Sequence, residues 1–258
     1  MSILAIDAGT TGVTALVVSR DGQIIARGYQ EFEQHFPTPG WVEHQPEQIW
    51  QATLAAVTRA LELTDEKPTA IGITNQRETA VIWDRQNLSS PTNAIVWQDR
   101  RTADLTSELE RINEGDWIRK RTGLNLDPYF TSSKFLWWQK NLPEMWAGVE
   151  SGKYALGTID SYLVARLTGG ASHITDCSNA SRTQLMNLAF ILPLRHAGLQ
   201  RLVHVAQGLL GALVVGHVAV GGHVAAARQR LAAHFDHLAV GAHALEHVGR
   251  AFAQVGHA

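Results

Sequence analysis

Ile3-Leu-Ala-Ile-Asp-Ala-Gly-Thr-Thr-Gly-Val-Thr-Ala-Leu-Val-Val-Ser19 is the stretch on which the fold turns. Two short apolar, β-branched runs, Ile3 to Ile6 and Val13 to Ser19, flank Asp7-Ala-Gly-Thr-Thr-Gly12 and predict a hairpin. Asp21-Gly22 marks a second tight turn before a third run, Gln23 to Tyr29. Strand, turn, strand, turn, strand is an antiparallel meander at the start of the chain.

Past the meander the pattern alternates. Pro37 to Pro46 reads as a loop with three prolines, and Gln48 to Leu63 has helical spacing through Ile49, Ala52, Ala56, Val57, Ala60 and Leu61. Ala70 to Thr74, Thr79 to Trp83 and Ala94 to Trp97 read as short buried strands. Thr102 to Ile112, Ser132 to Asn141 and Ile159 to Leu167 read as helices, the last ending at Gly169-Gly170. A meander followed by alternating helix and strand predicts an α/β domain with a mixed sheet.

The composition breaks near Leu188. Residues 1–188 hold all eight tryptophans, the single cysteine and every lysine, serine, threonine, asparagine and tyrosine; residues 189–258 hold none of these and nine of the twelve histidines. The front part carries 17 basic and 22 acidic groups against 5 and 2 behind it, so the −2 net charge marks neither a nucleic-acid nor a membrane-surface binder. His217-Val-Ala-Val-Gly-Gly-His223 echoes in His237-Leu-Ala-Val-Gly-Ala-His243, but two copies are too few for a solenoid. A poorly packed, low-complexity tail is expected, of the kind a reading-frame shift after Asn187-Leu188 would produce. The competing reading is a metal site from His234 and His237, or His243 and His247, at helical spacing. Cys177 has no internal disulfide partner, which fits a reducing compartment. The first residues lack a basic, apolar leader, and Leu209 to Val220 is too short to span a bilayer, so a cytoplasmic protein is expected.

Four segments carry chemistry. In Asp7 to Gly12 the turn's backbone N–H groups and two threonine hydroxyls suit a polyphosphate, and Asp7 suits a water-bridged Mg²⁺, or else the hexapeptide alone is an ordinary glycine-rich hairpin turn. Ile73-Thr-Asn-Gln-Arg-Glu-Thr79 sets Arg77 beside Glu78, a donor and an acceptor for vicinal hydroxyls, or else a plain surface ion pair. Trp97 offers a flat wall to a small carbon skeleton and Tyr129, after Asp127-Pro128, a phenol; either residue alone also reads as core.

In order, Phe32-Glu-Gln, Gly40-Trp-Val-Glu-His44, Asn75-Gln-Arg-Glu-Thr79, Asn93-Ala-Ile-Val-Trp97, Thr122-Gly123, Asp127-Pro-Tyr-Phe130, Thr175-Asp176 and Asn179-Ala-Ser-Arg-Thr183 resemble the glycerol kinases of the FGGY carbohydrate-kinase family over residues 2 to about 188. The resemblance implies a ribonuclease-H-like lobe of the actin/hexokinase type and ATP-dependent phosphorylation of glycerol to sn-glycerol 3-phosphate. It implies that Thr10, Thr11 and Gly12 line the nucleotide phosphates, that Asp7 holds Mg²⁺, and that Arg77, Glu78, Trp97 and Tyr129 bind glycerol. It allows a homo-oligomer. Two departures stand out. Thr14 occupies a place where many glycerol kinases carry arginine, and the 258 residues contain no Gly-Asp-Gln, the segment bearing the family's general base. The first lobe is therefore expected to be incomplete here. Two alternatives stay open: an inactive fragment, or a residual glycerol- and phosphate-binding module from a disrupted gene.

Overall fold

The computed structural model describes residues 2–112 and 114–186. The expectations for 189–258, histidine pairs included, lie outside the described residues.

The meander forms as the alternation dictates. β1 (Ile3–Ala8), β2 (Gly12–Val18) and β3 (Ile24–Glu31) are antiparallel neighbours. Leu4, Ile6, Ala8, Val13, Ala15, Val17 and Ala26 project to one buried face. β4 (Glu43–His44) follows, and helix α1 (Pro46–Glu62) covers that face with Ile49, Ala52, Ala56, Val57 and Ala60. Pro46, expected to end a loop, instead opens the helix, where its missing N–H and fixed φ do no harm. α1 lies so close to β3 that a Cβ on Gly28 would fall 1.9 Å from the Ala56 carbonyl oxygen.

After α1 the chain crosses over to β5 (Ala70–Asn75), which joins β1 in parallel, Ile3 opposite Ala70 through Ala8 opposite Asn75. The sheet order is β3-β2-β1-β5, mixed as expected. The strand expected over Thr79 to Trp83 leaves that sheet. It appears as β6 (Val81–Asp84), paired only with β8 (Tyr154–Gly157). β7 (Ala94–Ile95) is shorter than expected and pairs with β4.

Helices α2 (Ala103–Arg111), α3 (Glu114–Thr122), α4 (Thr131–Asn141), α5 (Pro143–Glu150), α6 (Ile159–Leu167) and α7 (Cys177–Ala180) complete the described elements. α4 and α5 close a second core on the small sheets through Ile82, Ile95, Phe135, Trp138, Trp146, Val149 and Leu156. Arg101 staples the two regions. It is buried against Asp99 and Glu43, at 2.8 Å from each, and sits over Trp41 and Trp137. β1 and β5 run parallel, so their carboxyl ends open the same way, and Gln76 N–H donates to the Ala8 carbonyl at 2.8 Å. Ligand crevices form at such strand ends.

Candidate functional site

The turn between β1 and β2 closes through Gly9 N–H donating to the Gly12 carbonyl at 3.0 Å. Thr11 is exposed, Thr10 half-buried and Gly12 buried. Gly12 is a glycine for packing: a Cβ there would lie 2.8 Å from both the Gln30 carbonyl and the Tyr29 hydroxyl. Asp7 is exposed one step before the turn, opposite Thr14 on β2 and Thr74 on β5. Its carboxylate accepts no hydrogen bond within the described residues, so it is available to solvent or an ion.

A closed ring of hydrogen bonds joins this turn to the segment after β5. Gln76 Nε2 donates to the Gly9 carbonyl at 3.0 Å, and its Oε1 accepts from Thr79 Oγ1 at 3.0 Å. Thr79 Oγ1 accepts in turn from Trp97 N–H at 3.2 Å. The Trp97 indole closes the ring by donating Nε1–H to Thr10 Oγ1 at 3.0 Å. Thr10 accepts here, so its hydroxyl proton stays free to donate to a ligand. Gln76 Nε2 also lies 3.1 Å from His44 Nδ1. An amide nitrogen only donates, so Nδ1 accepts and the ring proton sits on Nε2. Burial pushes the His44 imidazole down to about 4, with nearby His35 adding a smaller push the same way. Sequence reading assigned no role to His44, Gln76 or Thr79; Gln76 and Thr79 lie inside the Asn-Gln-Arg-Glu-Thr motif, the one signal that could have flagged them.

Arg77 and Glu78 sit in the following turn, and they part. Glu78 adopts φ 64°, which for a non-glycine residue costs about 1 kcal/mol and turns successive side chains apart. Arg77 is exposed and donates from Nη1 to Ser178 Oγ at 3.1 Å. Glu78 is 3% exposed, and its carboxylate accepts from Arg182 Nε rather than pairing with Arg77. The surface ion pair is thus excluded. The Arg182 guanidinium lies 5.3 Å from the Tyr129 ring centroid, and the Tyr129 ring packs 5.4 Å from Trp97. Glu78, Trp97 and Tyr129 therefore belong to one continuous set of contacts, which reaches Thr10 through the indole. Arg77 borders it through Ser178, next to Asn179, whose amide pairs reciprocally with that of Asn75. Arg182 and Lys134 are further residues of this site given no role in the sequence reading. Lys134 Nζ donates to the carbonyls of Pro128, Tyr129 and Phe130 at 2.8, 2.7 and 3.2 Å, which fixes the loop that presents the phenol.

The β1–β2 turn is thus tied through one set of contacts to a carboxylate, an indole and a phenol. The N-terminal domain of the FGGY family of carbohydrate kinases matches residues 2–190. The chain belongs to that family. Its relatives within the family include the glycerol kinase of Chelativorans sp. strain BNC1, 50% identical over 190 residues, 72% of this chain and 38% of the relative. Glycerol kinase 2 of Sulfolobus acidocaldarius is 49% identical over 189 residues, again 38% of its length. The chain thus spans under two fifths of these FGGY relatives. Among solved structures, Plasmodium falciparum glycerol kinase with ADP aligns at TM-score 0.74 and 32% identity, covering 79% of this chain and 41% of that one. Lactobacillus acidophilus xylulose kinase aligns at TM-score 0.70 and 22% identity, a likeness of fold. The FGGY lobe has the expected actin/hexokinase-type architecture. Among the described residues, no three His, Cys, Asp or Glu side chains cluster to hold a metal ion, and no helix is long and apolar enough to cross a membrane.

Proposed function

We propose that residues 1–188 form the glycerol- and phosphate-binding lobe of a cytoplasmic glycerol kinase, the enzyme that transfers phosphate from ATP to glycerol to give sn-glycerol 3-phosphate. The observation that supports this reading is the unbroken run of contacts from Glu78 through Arg182, Tyr129 and Trp97 to Thr10. Glu78 accepts from one glycerol hydroxyl, Arg77 donates to another, Tyr129 supplies a further hydrogen bond and Trp97 covers the carbons. Thr10, Thr11 and the backbone at Gly12 receive the ATP phosphates. Asp7 fits Mg²⁺, since one free carboxylate beside phosphate oxygens and water is the coordination that ion favours. The metal would neutralise phosphate charge there.

The geometry serves positioning, the larger part of catalysis in phosphoryl transfer. Proton removal from the glycerol hydroxyl belongs to the Gly-Asp-Gln aspartate of the family, and the 258 residues contain no such segment. Residues 1–188 by themselves are thus read as binding glycerol without supplying that base. Loss of a general base alone lowers rates by about 10²–10⁴-fold. Isothermal titration is expected to show glycerol binding that Glu78→Gln weakens, while a coupled assay shows no ATP-dependent phosphorylation above buffer. Turnover within a factor of about ten of an intact glycerol kinase would exclude the binding-module reading, and absence of any glycerol binding would exclude the site.

A further inference from the structure

The segment from Ser178 to Gln184 is fastened on two sides. Ser178 holds Arg77 after β5 and Asn179 holds Asn75 at its end, while the Thr183 carbonyl accepts from Ser132 N–H at 3.0 Å. Gln184 bonds to Ser132 Oγ at 2.7 Å and to the Asn125 carbonyl at 2.6 Å. This strap ties the Arg77–Glu78 turn to the loop bearing Tyr129, and Arg182 stands at its centre. The Arg182 side chain is 32% exposed, with Nε on the Glu78 carboxylate and Cζ at 5.3 and 4.9 Å from the centroids of Tyr129 and Phe130.

Such contacts do two things to the binding wall. A carboxylate has two oxygens and a free torsion at its end; a guanidinium on Oε1 stops that torsion and leaves Oε2 as the remaining acceptor. A cation over the phenol ring holds Tyr129 against the same guanidinium, so acceptor and phenol keep a fixed spacing. The left-handed backbone at Glu78 is costly by itself, and Arg182 is what anchors the side chain it presents.

We propose that Arg182 is a positioning residue of the polyol site, which fixes the Glu78 carboxylate and Tyr129 in one rigid unit. This rests on the glycerol site proposed above. Holding two groups ready before the ligand arrives raises affinity by removing their ordering entropy from binding.

The test is a double-mutant cycle on the full 258-residue chain, with glycerol affinity measured by titration calorimetry for wild type, Arg182→Met, Glu78→Gln and the double variant. Arg182→Met is expected to weaken glycerol about tenfold, the size of one lost hydrogen bond to a charged group. Arg182→Lys, which keeps the charge but not the fixed Nε, should recover about a third of that affinity loss. Because Arg182 acts through Glu78, the double variant should bind within about twofold of Glu78→Gln alone, whereas a general loss of fold would add. Full additivity, or Arg182→Met binding within about twofold of wild type, overturns the proposal. If wild type itself binds no glycerol, the polyol site fails and this inference falls with it. If Arg182→Met does not fold by circular dichroism, the cycle is run with Arg182→Lys, whose additivity with Glu78→Gln decides in the same way.

Discussion

At the scale of single residues, Lys134 shows how far a side chain can depart from what its type suggests. Lysine is among the residues least often fully buried. In the fold Lys134 is fully buried, and burial pushes its amine down to about 7. Neighbouring carboxylates at Asp99, Glu78 and Asp127 partly oppose that push. Its three donated bonds satisfy three successive carbonyls of the loop carrying Tyr129. Lys134→Met should lower unfolding stability by about 2–3 kcal/mol, since it strands buried acceptors. It should also weaken glycerol binding without touching the ligand. Urea midpoints and titration calorimetry check both; an unchanged midpoint would mean the carbonyls find other donors. Arg77, Glu78, Trp97 and Tyr129 were legible because residue type and order alone suggested them. Arg182, Gln76 and Thr79 were not, because each acts on a group 50 or more positions away, or inside a ring that exists only once the chain has folded; Lys134 was not, because the fold alone decides its burial, although the carbonyls it satisfies lie four to six positions before it.

Among elements, α1 and β3 illustrate a close approach set by small residues. Gly28 faces Ala56 and Ala60 across the interface, and all three near atoms are backbone, which cannot swing away. Gly28→Ala should therefore cost about 3 kcal/mol by pushing α1 off the sheet. Gly22→Ala is the control: φ is +83° there but nothing lies within 4 Å, so only the backbone cost of about 1 kcal/mol applies. Thermal melts rank the two, and hydrogen exchange should quicken in α1 for Gly28→Ala alone. Equal melting points would refute the steric account. The elements that sequence reading located have strong periodicity: the meander, α1, α4 and α6. Those it passed over include α3, whose Glu114–Thr122 sequence is mostly charged, the short helices α5 and α7, and β8, four residues long and paired to β6 some 70 positions earlier. Short strands are specified by their partner, and a partner's identity is a tertiary fact.

Across the whole molecule, stability should depend on pH through its buried histidines. His44, joined through Gln76 to the β1–β2 turn, and His173, against Trp83 with Nε2 at 3.0 Å from the Leu156 carbonyl, are both pushed down to about 4, chiefly by burial. Unfolded histidine takes its proton near 6.5, so the unfolded chain gains protons first as pH falls. Their contribution is complete above about pH 6.5 and is lost progressively toward pH 4, up to roughly 3 kcal/mol each. Asp160 works in the opposite sense at the acid end, since burial raises its carboxyl. Urea midpoints should fall between pH 6.5 and 4.5, and His173→Gln should flatten that fall; an equal slope in the variant would show that His173 titrates normally. What the sequence by itself determined was the opening meander, the α/β class and the FGGY resemblance, together with the candidate residues for a polyol and phosphate site, because alternation, helical spacing and local motifs are properties of neighbours in the chain. Tertiary structure decided that Thr79 to Asp84 leaves the main sheet, that Glu78 takes Arg182 rather than Arg77 as its partner, and that Gln76, Thr79 and Trp97 close on Thr10. Those choices depend on which distant polar groups are buried together, where each must find a partner or forfeit the cost of its desolvation.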